Sequence, residues 1–157
     1  MLADAPRRFP PTGPAMTEES SSEQVTALNQ VLSEVIDVAV ATRQARHAVP
    51  EGHRLHAELD RLSTSARSWA EQLVDADSAL GVSALAYMTS PTGRMPSAPP
   101  PRPGGEEEVS RAITEQLDRL AANVSALIAQ PEDDRVREML KRLNAELQVH
   151  LDALASP

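Results

Sequence analysis

The chain contains no cysteine, which removes disulfides, thiolate nucleophiles and cysteine-based zinc sites together, so nothing covalent staples the fold. Aromatic residues are almost as scarce: Phe9, Trp69 and Tyr87 are the whole set. A core must then be built from Leu, Val, Ile and Ala, and an interleaved-aromatic platform for stacking bases is excluded. Lys141 is the single lysine among 15 basic residues, set against 23 acidic ones for a net charge of −8. Such a chain is repelled by nucleic-acid phosphates and anionic lipid surfaces. The first twenty residues hold Arg7, Arg8 and four prolines but no apolar run of signal-peptide length, and no later run reads as a membrane span. These absences predict a soluble, cytoplasmic protein with no nucleic-acid partner and no membrane partner. Met16 would serve as a second translation start, so residues 1–15 are either an extension upstream of the true start or a disordered tail, and residues 1–19 stand outside the expected fold.

What is present is periodicity. Apolar residues make up 41% and charged residues 24% of 157 positions, enough for one domain with a modest helical core. The segment Ala48-Val49-Pro50-Glu51, followed by Arg54-Leu55, Leu59 and Arg61-Leu62, recurs 81 residues later as Ala129-Gln130-Pro131-Glu132, Arg135-Val136, Leu140 and Arg142-Leu143. Aligned without a gap from 32/113 to 62/143, eleven of thirty-one pairs are identical, the mark of an internal duplication.

Four helices follow from the spacing. Ser20 with Glu23 and Ser21 with Gln24 form overlapping capping boxes that predict a first helix beginning there. Its seam is Val25, Leu28, Leu32, Val35 and Ala39, widened by Val31, Ile36, Val38 and Val40. Pro50 fits the first turn of a second helix after a tight reversal. That helix carries Leu55, Leu59, Leu62, Ala66, Trp69, Leu73, Ala76 and Leu80, with Ser63-Thr64-Ser65 as poor helix formers in its middle. Six prolines and three glycines between Thr89 and Gly105 mark a linker of polyproline character, able to reach ~50 Å at ~3.1 Å per residue. Such a length leaves the direction of the third helix relative to the second open. Glu106-Glu107-Glu108 suits the start of that third helix, whose seam is Val109, Ile113, Leu117, Leu120, Val124 and Leu127. Pro131 starts the fourth, with Val136, Leu140, Leu143, Leu147, His150 and Leu154 in line.

The predicted fold is all-α: a four-helix bundle of two duplicated αα-hairpins, residues 20–75 and 104–156, joined by a helix extension and Pro-rich linker over 76–103. Residues 76–88 have no counterpart in the second unit. If the second helix runs on to Met88, then Leu80, Val82, Leu85, Tyr87 and Met88 form an overhanging apolar surface for a second copy of the chain or a protein partner. If Gly81 breaks the helix, the segment folds back as a cap.

The chemistry is largely negative. A carboxylate-bridged di-iron bundle needs Glu-x-x-His pairs, and no Glu stands three residues before His47, His53, His56 or His150. His53 and His56 with Glu51 are better read as solvated side chains at a helix start than as metal ligands. There is no Gly-x-Ser-x-Gly elbow and no phosphate-binding glycine loop before a Lys-Ser/Thr. Arg135, Arg137, Lys141 and Arg142 pair at four-residue spacing with acids, Asp133 with Arg137 and Glu138 with Arg142. His150, the one polar residue on a seam, occupies the place of Trp69 in the first unit, with Glu146 as its nearest intrahelical carboxylate. It is either a buried, pH-sensitive core position or a half-exposed residue near a frayed helix end. The expectation is a non-enzymatic bundle without cofactor that acts by protein–protein contact, as a homodimer or with a hetero-partner. The alternative is a small-ligand or metal-binding bundle using the interior around Trp69 and His150.

Overall fold

The computed structural model describes residues 18–79, 105–130 and 133–156. Among them are four helices and no strand: α1 (Glu18–Ala48), α2 (Arg54–Ala79), α3 (Glu106–Ile128) and α4 (Asp134–Ala155). α1 packs on α2 and on α3, α4 packs on α2 and on α3, and the diagonal pairs barely touch. The architecture is therefore the all-α four-helix bundle expected from the spacing, with one shared core. The segments 1–17, 80–104 and 131–132, which include the N-terminal tail, the Pro-rich linker and the Leu80, Val82, Leu85, Tyr87 and Met88 surface, lie outside the described residues.

The direction of α3 follows from contacts at one end. His53 Nε2, just before α2, is 3.0 Å from Glu106 Oε2 at the start of α3. The Arg54 guanidinium donates to the carbonyls of Ala153, at 2.9 Å, and Ser156, at the end of α4. The starts of α2 and α3 and the end of α4 thus share one end of the bundle, so α2 and α3 run parallel across the diagonal and every adjoining pair is antiparallel. Ala79 and Gly105 consequently stand at opposite ends, about 40 Å apart along the axis at 1.5 Å per helical residue.

The seams go where their periods point. Leu28, Leu32 and Val35 of α1, the run from Leu55 to Leu73 on α2, all six seam residues of α3, and Val136 to His150 on α4 are buried. Val25, Ala39, Ala76 and Leu154 are only partly buried, and Val40 is 51% exposed. α1 has apolar residues on more than one side because it has two neighbours. Its segment Ser22–Ala48 is long and apolar enough to cross a membrane by length and composition alone, a property the run-length reading passed over and one shared by the core helices of bundles.

Helix starts differ from expectation at three places, one of them α4, which begins at Asp134 and not at Pro131. α1 is already helical at Glu18, so Ser20 and Ser21 lie within the helix and not ahead of it. α2 starts at Arg54, not at Pro50. The intervening residues form a turn closed by His53 N–H to Pro50 O at 3.2 Å, with Gly52 at φ 89°. A right-handed helix cannot pass through a positive φ, and a turn of this kind takes Gly at its third position. His53 then caps α2, its Nδ1 accepting the Leu55 N–H at 3.2 Å. In the second unit Asp133 does this work, its carboxylate accepting from the N–H groups of Arg135 and Val136. α3 begins with Glu106, Glu107 and Glu108 in its first turn, behind Gly105.

Candidate functional site

Where α2 and α4 cross, five side chains meet. Glu58, Ser65 and Trp69 stand at i, i+7 and i+11 on α2, close to two and three full turns, and so share a stripe. Glu146 and His150, one turn apart on α4, face them. His150 Nδ1 lies 2.6 Å from Glu58 Oε1, and its Nε2 lies 2.9 Å from Ser65 Oγ. Trp69 Nε1 donates to Glu146 Oε2 at 2.6 Å. The Trp69 and His150 rings meet edge to face, 5.8 Å apart and inclined at 76°. Arg61 reaches in from the surface to within 3.4 Å of Glu58 Oε2.

These partners define the proton positions. An ionised carboxylate only accepts, so Nδ1 of His150 carries the hydrogen towards Glu58. Nε2 then accepts from the Ser65 hydroxyl when the ring is neutral and donates to it when the ring is cationic, and either state leaves both nitrogens bonded. Glu58 is 6% and His150 7% exposed. The expectation of a half-exposed histidine at a frayed end is thereby corrected. α4 continues to Ala155, and Arg54 ties down its last carbonyls. The carboxylate bonded to His150 is Glu58 on the facing helix, while the intrahelical Glu146 goes to Trp69.

Carboxylate, imidazole and hydroxyl in this order reproduce the connectivity of an acyl-transfer relay. The surroundings do not supply the rest of that chemistry. Ser65 lies in mid-helix, where neighbouring backbone N–H groups are bonded to carbonyls four residues back, so none is aimed at a developing oxyanion. What the arrangement does provide is a set of bonds between the two hairpins, with His150 answered by Glu58 and Ser65 and Trp69 by Glu146, while Arg61 of α2 itself approaches the second Glu58 oxygen.

A numerical relation connects these bonds to the 81-residue alignment of the sequence. Adding 81 to Ser65 gives Glu146, and adding 81 to Trp69 gives His150. The shift that aligns the two halves therefore exchanges the Trp69–Glu146 bond with the Ser65–His150 bond. Glu58 corresponds to Met139, which is buried and apolar, so the Glu58–His150 bond has no counterpart.

Glu58 and Ser65 went unsingled in the sequence. Glu58 precedes a seam leucine and looks like a flank position. For Ser65 there was a signal, since it belongs to the run of poor helix formers in mid-element, and the structure gives it a reason to be there. His53, read as solvated, is engaged at both ring nitrogens, by the Leu55 N–H and Glu106. Among the described residues no group of three acidic or histidine side chains is placed to hold a metal ion. On α4 Arg137 bonds Asp134 at 2.8 Å and Lys141 bonds Glu138 at 2.9 Å, both at three-residue spacing, and the Arg142 charge acts on Glu138 from four residues on, as expected. Asp133 is taken by the cap. The Lys141 hydrogen bond and charge hold the Glu138 carboxyl below its ordinary value.

No protein-family model and no curated protein matches this chain.

Proposed function

We propose that the chain is a non-enzymatic helical bundle that acts through protein–protein contact, as a homodimer or with a hetero-partner. The observation that carries this reading is the closure of the interior. Trp69 is fully buried at the centre, and the polar atoms of Trp69 and His150 are bonded to Glu146, Glu58 and Ser65. A ligand entering there would have to break those bonds, which removes the support for a small-ligand or metal-binding interior. Recognition then falls to the outside of the bundle, with Leu80, Val82, Leu85, Tyr87 and Met88 as the candidate contact surface. The same reading takes the two hairpins as copies of one ancestral unit, supported by the 81-residue alignment and by the two hydrogen bonds that exchange under it.

Native mass spectrometry at micromolar concentration tests the function. A bare dimer that becomes monomeric when Leu85 and Met88 are both replaced by Ser is the expected result for self-contact. A bare monomer leaves the hetero-partner form of the reading. A monomer carrying additional mass that is lost in Trp69→Phe would overturn the reading in favour of an interior ligand.

A further inference from the structure

Asp77, near the end of α2, is 0% exposed, and among the described residues neither carboxylate oxygen has a hydrogen-bond partner. Asn29 on α1 is 4% exposed, and its side-chain carbonyl oxygen also lacks a donor. Counting seventeen residues outward along each helix from the antiparallel Arg46–Asp60 pair brings Asn29 level with Asp77. Three buried acceptor atoms thus lie at one level of the first hairpin, and none of them receives a hydrogen among the described residues.

We propose that Asp77 is a proton-operated clasp: in its protonated form the carboxyl donates to the Asn29 amide oxygen and holds the end of α2 to the start of α1, and on losing the proton it releases that end. Burial, with no contribution from a neighbouring charge, pushes the Asp77 carboxyl up from 3.8 to about 6. The charges brought to this end by other elements are Glu18, Glu19 and Glu23 on α1, and on α4 the capping carboxylate of Asp133, which accepts from the Arg135 and Val136 N–H groups, followed by Asp134, Arg135, Arg137 and Glu138. Glu23 is exposed, Arg137 is bonded to Asp134, and Glu138 to Lys141. The last two turns of α3 contain no ionisable residue. Because the folded value lies above the unfolded one, the folded state binds the extra proton. The stabilisation is complete below about pH 4, decays as pH rises towards 6, and is gone above it. The clasp sits at the end of the bundle from which the connecting segment departs, so it makes the rigidity of that end depend on pH in the range just below neutrality.

The test compares the full chain with Asp77→Asn, in which an amide reproduces the shape and the donor of the protonated acid at every pH. Thermal midpoints of the variant are expected several degrees above wild type at pH 7.5, with the gap closing by pH 4.5. Parallel pH profiles for the two proteins would overturn the proposal. Carbon-13 NMR titration of the Asp77 carboxyl in the wild-type chain needs no variant to fold. A midpoint near 6 supports the clasp, and one near 4 sinks it. Addition of magnesium or calcium at pH 7.5 gives the remaining contrast: a midpoint raised in wild type but not in Asp77→Asn would replace the proton with a bound cation.

Discussion

Glu58 and Asp77 are both buried carboxylates on α2, nineteen residues apart, and their surroundings are opposite. Glu58 has an imidazole at one oxygen and a guanidinium at the other. Asp77 has no hydrogen-bond partner at either among the described residues. The difference lies in what the facing helices bring to each level. Opposite Glu58, the last turns of α4 bring His150. The first turns of α4, which run alongside the end of α2, bury Val136 and Met139, and at the same level α1 buries Asn29, whose side-chain carbonyl oxygen also lacks a donor among the described residues. Equal depth thus yields a bonded ion at one level and an acid driven towards its neutral form at the other. The deciding quantity is the partner and not the burial.

The sharpest way to break that comparison is to make Glu58 resemble Asp77. His150→Ala leaves the buried Glu58 carboxyl without the hydrogen-bond partner His150 supplies and opens a cavity beside Trp69, and the unanswered polar group together with the cavity costs about 3 kcal/mol. Against the roughly 5–15 kcal/mol total stability of a small domain this is a large fraction, and urea unfolding would show a midpoint lowered with little change in slope. The double replacement Glu58→Met with His150→Leu, which gives position 58 the residue found at its counterpart Met139, is expected to recover most of the loss. If the double variant is no more stable than His150→Ala, the unanswered carboxyl is not the cause.

Trp69→Phe asks for less. The ring and most of its apolar area remain while the N–H to Glu146 disappears. Glu146 is an exposed residue, so its carboxylate regains water, and the expected cost is about 1 kcal/mol for the lost bond plus a smaller packing term. Equilibrium unfolding of Trp69→Phe, Glu146→Gln and the pair together, as a double-mutant cycle, isolates the bond itself. A coupling indistinguishable from zero would mean that the indole N–H is equally well served by water.

Much of the fold could be read from the chain because helix seams are local. The alternation of three and four between Leu55 and Leu73 settles which face of α2 is buried without knowledge of what it meets. The positions that decide the site are not local. Glu58 is separated by 92 residues from His150, and nothing in its own segment distinguishes it from a solvated flank acid. Asp77 sits among Asp75, Ser78 and Ala79, a stretch that reads as the polar end of a helix, and its burial depends on packing between helices. Conversely His150 was visible from the start, because a polar residue interrupting a leucine seam is itself a local anomaly. Ser65 was half visible: its weak helix propensity announced a cost, but the compensating bond lies on another element. The direction of α3 was beyond reach for a different reason, since the reach of the linker permits either orientation and only the contacts of His53, Glu106 and Arg54 select one.

Two hydroxyls offer the finest version of the comparison, with the smallest expected effects. Ser65 Oγ is bonded to His150 Nε2, whereas Thr42 Oγ1 on α1 is buried with no partner among the described residues. Ser65→Ala removes the group that answers Nε2, leaving a polar nitrogen under cover at a cost of about 1–2 kcal/mol, offset in part by roughly 0.5 kcal/mol of better helix propensity for Ala. Thr42→Val replaces an unbonded hydroxyl with a methyl of nearly the same shape and similar helix propensity, so it relieves a desolvated oxygen and creates no cavity. It should leave stability unchanged or raise it by up to about 1 kcal/mol. Chemical unfolding of both variants at one pH checks the pair of signs. Destabilisation by Thr42→Val comparable to that of Ser65→Ala would show that the Thr42 hydroxyl finds a partner in solution, a bridging water being the simplest, and the contrast between answered and unanswered polar groups would then have to rest on Asp77 alone.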